Sequence, residues 1–117
     1  MRHHRTTDGD RARKFYAETL GLRFVADTPY ALMFDAHGTM LRIAKVQELT
    51  AAPYTVLGWT VPEIAAIASG LAARGVVFQR YDGLDQDAHG TWNSPDGARV
   101  AWFKDPDGNT LSLTQVP

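Results

Sequence analysis

Apolar residues recur with two different spacings along the chain. Between residues 10 and 20, and again between residues 62 and 75, they fall three and four positions apart, which predicts two amphipathic helices. The first helix follows Asp8, a residue suited to capping, and both helices end at a glycine, Gly21 and Gly75. Alternating or β-branched segments predict seven strands, over residues 22–26, 30–35, 39–45, 55–61, 76–81, 98–103 and 110–115.

An internal repeat relates the two halves of the chain. Residues 38–46 and 108–116 carry Gly, two aliphatic residues and Val at the same offsets, and each follows a stretch that contains one of the helices. We therefore expect a single domain over residues 1–117 built from two similar modules, about 1–47 and about 54–117. The second copy holds an insertion between Phe78 and the strand near Val100.

The beginning of the first module departs from the repeat. Residues 1–7 read MRHHRTT and contain one apolar residue in seven, whereas a strand packed on a helix normally alternates apolar and polar residues. The sequence therefore predicts that the first strand of module one is weak or absent. An edge of its sheet would then be exposed.

Composition excludes several classes of protein. The chain has 117 residues, of which 44% are hydrophobic, and this suits one globular domain. Twelve Lys and Arg balance 13 Asp and Glu, so nothing favours a nucleic acid or a membrane surface as partner. No apolar run reaches the ~18 residues of a membrane span, and we expect a cytoplasmic protein. The absence of Cys excludes disulfides, thiolate nucleophiles and iron–sulfur clusters.

Three motifs resemble a known superfamily. They are DGDRARKFYAETLGL at residues 8–22, WTVPEI at 59–64 and FKDPDGN at 103–109. Together they resemble the vicinal oxygen chelate superfamily, which includes glyoxalase I, extradiol dioxygenases and bleomycin-resistance proteins. The resemblance covers about residues 8–117. It implies an α+β fold in which two βαβββ modules form curved mixed sheets around a cup for a small ligand.

The same resemblance locates the positions at which the family's enzymes hold a divalent metal. One of the four positions lies in the last strand of each module, and these two correspond to Arg42 and Ser112 here. The third corresponds to Val56, and the fourth falls near Met1. A cation, a hydroxyl and an aliphatic side chain do not replace carboxylate or imidazole ligands. We therefore expect no metal and no other cofactor.

Several side chains are candidates for a ligand pocket in the cup. Trp102 is expected to be a stacking wall for a planar ligand, and Trp92, which lies in the inserted loop, a lid over it. Arg42 either clamps a carboxylate, phosphate or phenolate or pairs with an Asp of the protein. The predicted pocket residues are Met33, Arg42, Val56, Trp92, Trp102 and Ser112, and no catalytic residue is assigned.

These expectations favour a protein that binds a small aromatic or amphipathic molecule without a metal, as bleomycin-resistance proteins do. Two alternatives remain. One is a lyase or dioxygenase with a relocated metal site using His3 or His4 with His89 and an Asp, and the other is a metal-free acid-base enzyme using Asp87 or His89. The resemblance further implies a homodimer.

Overall fold

The computed structural model describes residues 2–36, 38–47 and 55–117, without the side chain of Val56. Its helices and strands form an α+β fold with two four-stranded sheets. A π-helical turn at Phe15–Thr19 continues the first helix. The elements are β1 (Arg2–Thr6), α1 (Gly9–Lys14), β2 (Arg23–Asp27), β3 (Ala31–Ala36), β4 (Thr39–Lys45), β5 (Thr55–Thr60), α2 (Ile64–Ala73), β6 (Trp92–Asn93), β7 (Arg99–Lys104) and β8 (Thr110–Gln115).

The two sheets repeat one topology. Sheet A has the strand order β1-β4-β3-β2, and sheet B has the order β5-β8-β7-β6. Each set of four strands is interrupted by one helix after its first strand, so the βαβββ repeat expected from the sequence is present twice. The fold class predicted from the resemblance is therefore confirmed.

The chain divides into two compact units. Unit 1 comprises Met1–Val56 and Asp105–Asn109, so it takes in the turn between β7 and β8 as well as sheet A. Unit 2 comprises Leu57–Lys104 and Thr110–Pro117 and contains most of sheet B. In each sheet we call the face that carries no helix of its own unit the open face.

The core of unit 1 lies between its helical segment and sheet A. Asp8 accepts a hydrogen bond from the Arg11 N–H at 3.1 Å and so caps α1. The following turn widens to a π-helix, in which the Leu20 N–H donates to the Phe15 carbonyl. Tyr16 on this turn is fully buried against Phe34, with ring centroids 5.7 Å apart. Leu32, Leu41 and Ile43 complete this core.

The prediction that the first strand is weak or absent is wrong. Residues Arg2–Thr6 form β1, which pairs with β4 in parallel along its whole length. Its inward positions, His4 and Thr6, are polar, which is why the hydrophobic pattern missed the strand. Thr6 satisfies its buried hydroxyl by donating to Oδ2 of Asp107 at 2.6 Å.

The core of unit 2 lies between α2 and sheet B. Alternate residues of β7 and β8 are buried on the helix side, and Phe103 meets Trp59 edge-on at a centroid distance of 6.3 Å. The backbone N–H of Ile64 opens α2 by donating to the side-chain oxygen of Gln115. The largest buried apolar residues here are Phe103, Leu111, Leu113, Ile64 and Leu71.

The prediction of a strand over residues 76–81 is also wrong. Only Phe78 forms a bridge, to Phe103, and the N–H of Gln79 donates to Trp102. Beyond this point the side-chain amide of Gln86 takes the place of a strand: it donates to the Gln79 carbonyl and accepts from the Tyr81 N–H. The chain therefore leaves the sheet, and the two-residue β6 occupies the fourth position instead.

The structure shows no helix, within the part of the chain it describes, that is long and apolar enough to cross a membrane.

Candidate functional site

Three aromatic side chains meet on the open face of sheet B. Trp92 of β6 pairs with Val100 of β7, and Trp102 lies two residues further along β7, so both indoles project from the same face. Their ring centroids are 6.2 Å apart, and Tyr81 meets Trp102 edge-on at 5.4 Å. We call Tyr81, Trp92 and Trp102 the aromatic wall. Both indoles are half-buried, which leaves part of each ring in contact with solvent.

The geometry of the two indoles defines how they can hold a ligand. Their planes are inclined by 32°, and their centroids are 6.2 Å apart. A planar molecule between two rings needs two van der Waals contacts, or about 7–8 Å in all. The indoles are therefore too close for a sandwich and form a continuous apolar surface.

Ser112 adds a polar group beside the aromatic wall. It pairs directly with Trp102 across β7 and β8 and is buried. Its hydroxyl stands over the backbone of Gly58 in the neighbouring strand β5, at a position where any Cβ on residue 58 would clash with it. Glycine at this point of the strand therefore makes room for the hydroxyl.

Of the predicted pocket residues, the structure brings together two groups. Trp92, Trp102 and Ser112 lie on the open face of sheet B. Met33 and Arg42 are direct cross-strand neighbours on the open face of sheet A. The side chain of Val56, the sixth predicted pocket residue, lies outside the described residues, as does Met1.

The residues at the family's metal positions do not fit a divalent cation. Arg42 brings a positive charge, and Ser112 brings a neutral hydroxyl confined against Gly58. Neither supplies the carboxylate or imidazole that such ions need. Within residues 2–36, 38–47 and 55–117, no three His, Cys, Asp or Glu residues are grouped so that they could hold a metal ion.

His3 and His4, the two alternative ligands in the relocated-metal hypothesis, lie on opposite faces of β1. His4 is buried on the helix side of sheet A, where its ring meets Tyr16 edge-on. His3, the adjacent residue in β1, projects from the opposite face of the same strand. No more than one of them can therefore face any single site.

Asp87 of the acid-base hypothesis is engaged in shaping the inserted loop. Its Oδ1 accepts from the backbone N–H groups of His89 and Thr91, and its Oδ2 faces Arg99 at 3.5 Å. The imidazole of His89 borders a shallow depression of about 210 Å³, together with Ala72 near the end of α2. That depression lies on the helix side of unit 2, whereas the aromatic wall lies on the open face.

The DPDGN motif forms a network of hydrogen bonds within unit 1, and those that join Asp105 to Tyr16 and Asn109 are buried. Oδ1 of Asp105 accepts from the backbone N–H groups of Asp107 and Asn109, and its Oδ2 accepts from Tyr16 and from the amide of Asn109. Asp107 accepts from Thr6 and also from Thr7 and Arg11. The motif therefore fastens the turn at 105–109 to β1 and α1.

Two ionisable groups of this network have displaced pKa values. Burial raises the pKa of Tyr16 well above its usual value, and the negative charge of Asp105 adds to the effect. Burial opposes ionisation of Asp107, but hydrogen bonds from Thr6 and Thr7 and the charge of Arg11 outweigh it and lower its pKa. Asp107 is therefore a carboxylate committed to structural contacts.

His4 is unusual because its ring has no polar partner. Neither of its nitrogens has a hydrogen-bond partner among the described residues, and only 4% of the residue is exposed. Burial lowers its pKa, although the nearby Asp105 acts in the other direction. The ring is accordingly a neutral member of the core.

Reasoning from the sequence missed Tyr81 as a member of the aromatic wall. The sequence pattern assigns Tyr81 to the end of the predicted strand over residues 76–81, and no periodicity links it to Trp102. Its contact depends on the local bonds of Gln86, which turn the chain at this point. A tyrosine next to Asp82 and Gly83 signals only a turn.

Solved structures resemble this chain over nearly its whole length. A protein assigned to the glyoxalase family from Bacillus anthracis aligns with a TM-score of 0.78 and 18% identity, covering 98% of this chain and 91% of the other. Lactoylglutathione lyase from Agrobacterium tumefaciens gives 0.74 and 18%, with 97% and 89% covered. TioX from Micromonospora sp. ML1 gives 0.74 and 18%, with 98% and 95% covered. At these identities the likeness concerns the fold.

Curated proteins gave no match to the chain. A family model, in contrast, matches residues 4–113, from within β1 to within β8, and includes all three motifs noted in the sequence. The chain belongs to the Glyoxalase/Bleomycin resistance protein/Dioxygenase superfamily.

Proposed function

We propose that the protein binds a small planar aromatic or amphipathic molecule against the aromatic wall, without a metal ion and without converting it. The observation that carries this proposal is the contact between Trp92 and Trp102 on the open face of sheet B. Large half-exposed aromatic side chains grouped on one sheet face are a common way to bind apolar ligands.

The chemistry of the neighbouring groups supports binding rather than turnover. Asp87, the carboxylate that the sequence offered as an acid or base, is held by its own loop and by Arg99. Ser112 is the polar group that pairs with Trp102, and its hydroxyl is suited to orient a ligand by one hydrogen bond. The family positions that would carry a metal hold Arg42 and Ser112, which do not suit one.

Thermal unfolding in the presence of matched ligands tests the proposal. The ligands form a panel of planar aromatic compounds, each matched with a saturated analogue. One such pair is 2-naphthol and decahydro-2-naphthol, which share a carbon skeleton and differ in planarity. Ligand binding to the folded state raises the melting temperature. We expect the planar compounds to raise it in the wild-type protein and to have little effect on Trp102→Leu or Trp92→Leu.

The matched control is Tyr30→Leu, which removes an aromatic side chain that is 75% exposed and outside the aromatic wall. It should respond to the ligands as the wild type does. Equal shifts with planar and saturated compounds, or equal shifts in Trp102→Leu and wild type, would contradict the proposal. The homodimer expected from the resemblance stays a prediction, which light scattering checks.

A further inference from the structure

We propose that the open face of sheet A carries a binding site for an oxyanion, a carboxylate or phosphate group of a small molecule, formed by Arg42 with His3 and Arg5. All three residues belong to unit 1. The site takes up the clamp role considered for Arg42 and adds two residues that the predicted pocket did not include.

Strand register places Arg42, His3 and Arg5 together. In the parallel pair of β1 and β4, His3 lies opposite Arg42, and Arg5 lies opposite Ala44. The flanking positions of β4, Leu41 and Ile43, are buried on the helix side. Residues 42 and 44 therefore face the other way, and their partners in β1 project with them.

No carboxylate neutralises these groups within the described part of the chain. Arg42 is half-buried and makes no hydrogen bond or ion pair with the residues described. Asp35 is the acidic residue nearest in register on this face, because it pairs with Met40 of β4. Its Oδ2 already accepts from Arg23 at 3.3 Å, and its Oδ1 accepts from the Gly38 N–H at 2.7 Å.

This arrangement is costly for the free protein. A half-buried arginine without an acidic partner loses hydration, and the two arginines Arg42 and Arg5 on one face of neighbouring strands repel each other. A bound anion removes both costs. Because the guanidinium presents parallel N–H donors in a plane, it can hold two oxygens of one carboxylate or phosphate, and His3 supplies a further N–H.

The neighbouring apolar residues indicate the class of the ligand. Met33 lies opposite Arg42 on β3, and Ala44 and Ala31 form the next pair across the same two strands. These apolar side chains beside Arg42 are suited to contact the apolar body of a molecule whose charged group the arginine holds. The ligand class is therefore a small organic anion or a phosphate ester.

Titration with inorganic phosphate and with benzoate at low ionic strength tests the proposal, with binding followed by NMR of the arginine side chains. We expect at least one of the two anions to bind saturably and the Arg42→Gln variant to weaken that binding by about tenfold or more. The anion that binds identifies whether the site prefers phosphate or carboxylate. The matched control is Arg2→Gln, which removes the same charge from the same strand but from its other face.

Stability provides a second readout that separates a ligand site from a structural ion pair. If Arg42 is an unpaired cation, Arg42→Gln leaves the melting temperature in low salt unchanged or raises it, and the bound anion raises the wild-type value. A lower melting temperature for Arg42→Gln together with no anion effect on the wild type would show a structural role and overturn the proposal. Absence of saturable binding, or equal weakening in Arg2→Gln, would also overturn it. Inorganic phosphate has no aromatic ring that could stack on the aromatic wall, so its binding, and the loss of benzoate binding in Arg42→Gln, report on this site, and failure here and failure of the proposed function are distinguishable.

Discussion

The hydroxyl of Tyr16 donates a 2.6 Å hydrogen bond to Oδ2 of Asp105, and both residues are buried in unit 1. The two residues belong to two of the three motifs that carry the resemblance, the one at residues 8–22 and the one at 103–109. The bond joins these two motifs: the tyrosine reaches out of the helical turn to a carboxylate that also orders the turn at 105–109.

Removing the Tyr16 hydroxyl should destabilise the protein. Tyr16→Phe keeps the ring but leaves a buried carboxylate without one of its donors, which costs about 1.5–3 kcal/mol of unfolding free energy. Urea unfolding of Tyr16→Phe and of the wild type measures this loss of unfolding free energy. Tyr30→Phe is the control, because Tyr30 is 75% exposed and its hydroxyl makes no such bond among the described residues. Equal stability of the two variants would show that the Tyr16–Asp105 bond contributes little.

His4 should make stability depend on pH in a known direction. Because burial lowers its pKa, the unfolded chain takes up a proton at this residue before the folded protein does. Stability is therefore full above the unfolded pKa of about 6.5 and falls as the pH drops from there towards the lowered folded pKa, by at most about 1.4 kcal/mol per pH unit.

The comparison of urea midpoints at about pH 7.5 and about pH 5.5 checks this dependence. His4→Phe keeps an aromatic ring against Tyr16 and removes the titration, so its midpoint should change less over this range. His89→Gln, which alters an exposed histidine, should behave as the wild type. If the urea midpoint of the wild type is no lower at the acidic pH than at the alkaline one, this account of His4 is ruled out.

Replacing Gly58 by alanine should destabilise the protein, whereas the same replacement at a glycine in open space should not. At Gly58→Ala the new Cβ meets the Ser112 hydroxyl, and such overpacking costs about 1–3 kcal/mol. Gly70→Ala in α2 meets nothing within 4 Å and should stabilise the protein by about 0.5–1 kcal/mol.

A double variant identifies the cause of the Gly58 effect. If the clash with Ser112 is responsible, then Ser112→Ala relieves it, and the double variant Gly58→Ala/Ser112→Ala is more stable than the two single effects predict when added. Urea unfolding gives the free energy of unfolding of the wild type, of both single variants and of the double variant. Additive effects would mean that the two residues do not interact.

Metal content should be low. Since Arg42 and Ser112 stand at the family's metal positions, the purified, untagged protein is expected to hold far less than one equivalent of zinc, nickel, manganese or iron by elemental analysis. A chelator should leave its melting temperature unchanged. Close to one equivalent of a divalent ion per chain would contradict this and revive the enzyme hypothesis.

Local patterns predicted most of the fold because periodicity reports which face of an element is buried. Both helices and six of the seven predicted strands correspond to elements of the structure. The first strand was missed because its buried positions are His4, which packs on Tyr16, and Thr6, whose hydroxyl is satisfied by Asp107, about a hundred residues away in sequence. The strand over 76–81 was predicted wrongly because a side chain, Gln86, replaces the strand partner.

The candidate site was predicted in part for the same reason. Alternation along β4 and β7 correctly places Arg42 and Trp102 on open faces. Their proposed neighbours were not predicted: Tyr81 meets Trp102 because the bonds of Gln86 turn the chain there, and His3 meets Arg42 through the register of β1 and β4, neither of which a single sequence reveals.

The most direct test of the central claim is calorimetric titration of the wild-type protein and of Trp102→Leu with 2-naphthol and the other planar compounds of the panel. We predict saturable binding of at least one of them to the wild type, loss of that binding in Trp102→Leu, and recovery of the ligand unchanged. Absence of binding for every planar compound, binding that survives the loss of Trp102, or conversion of the ligand would contradict the account.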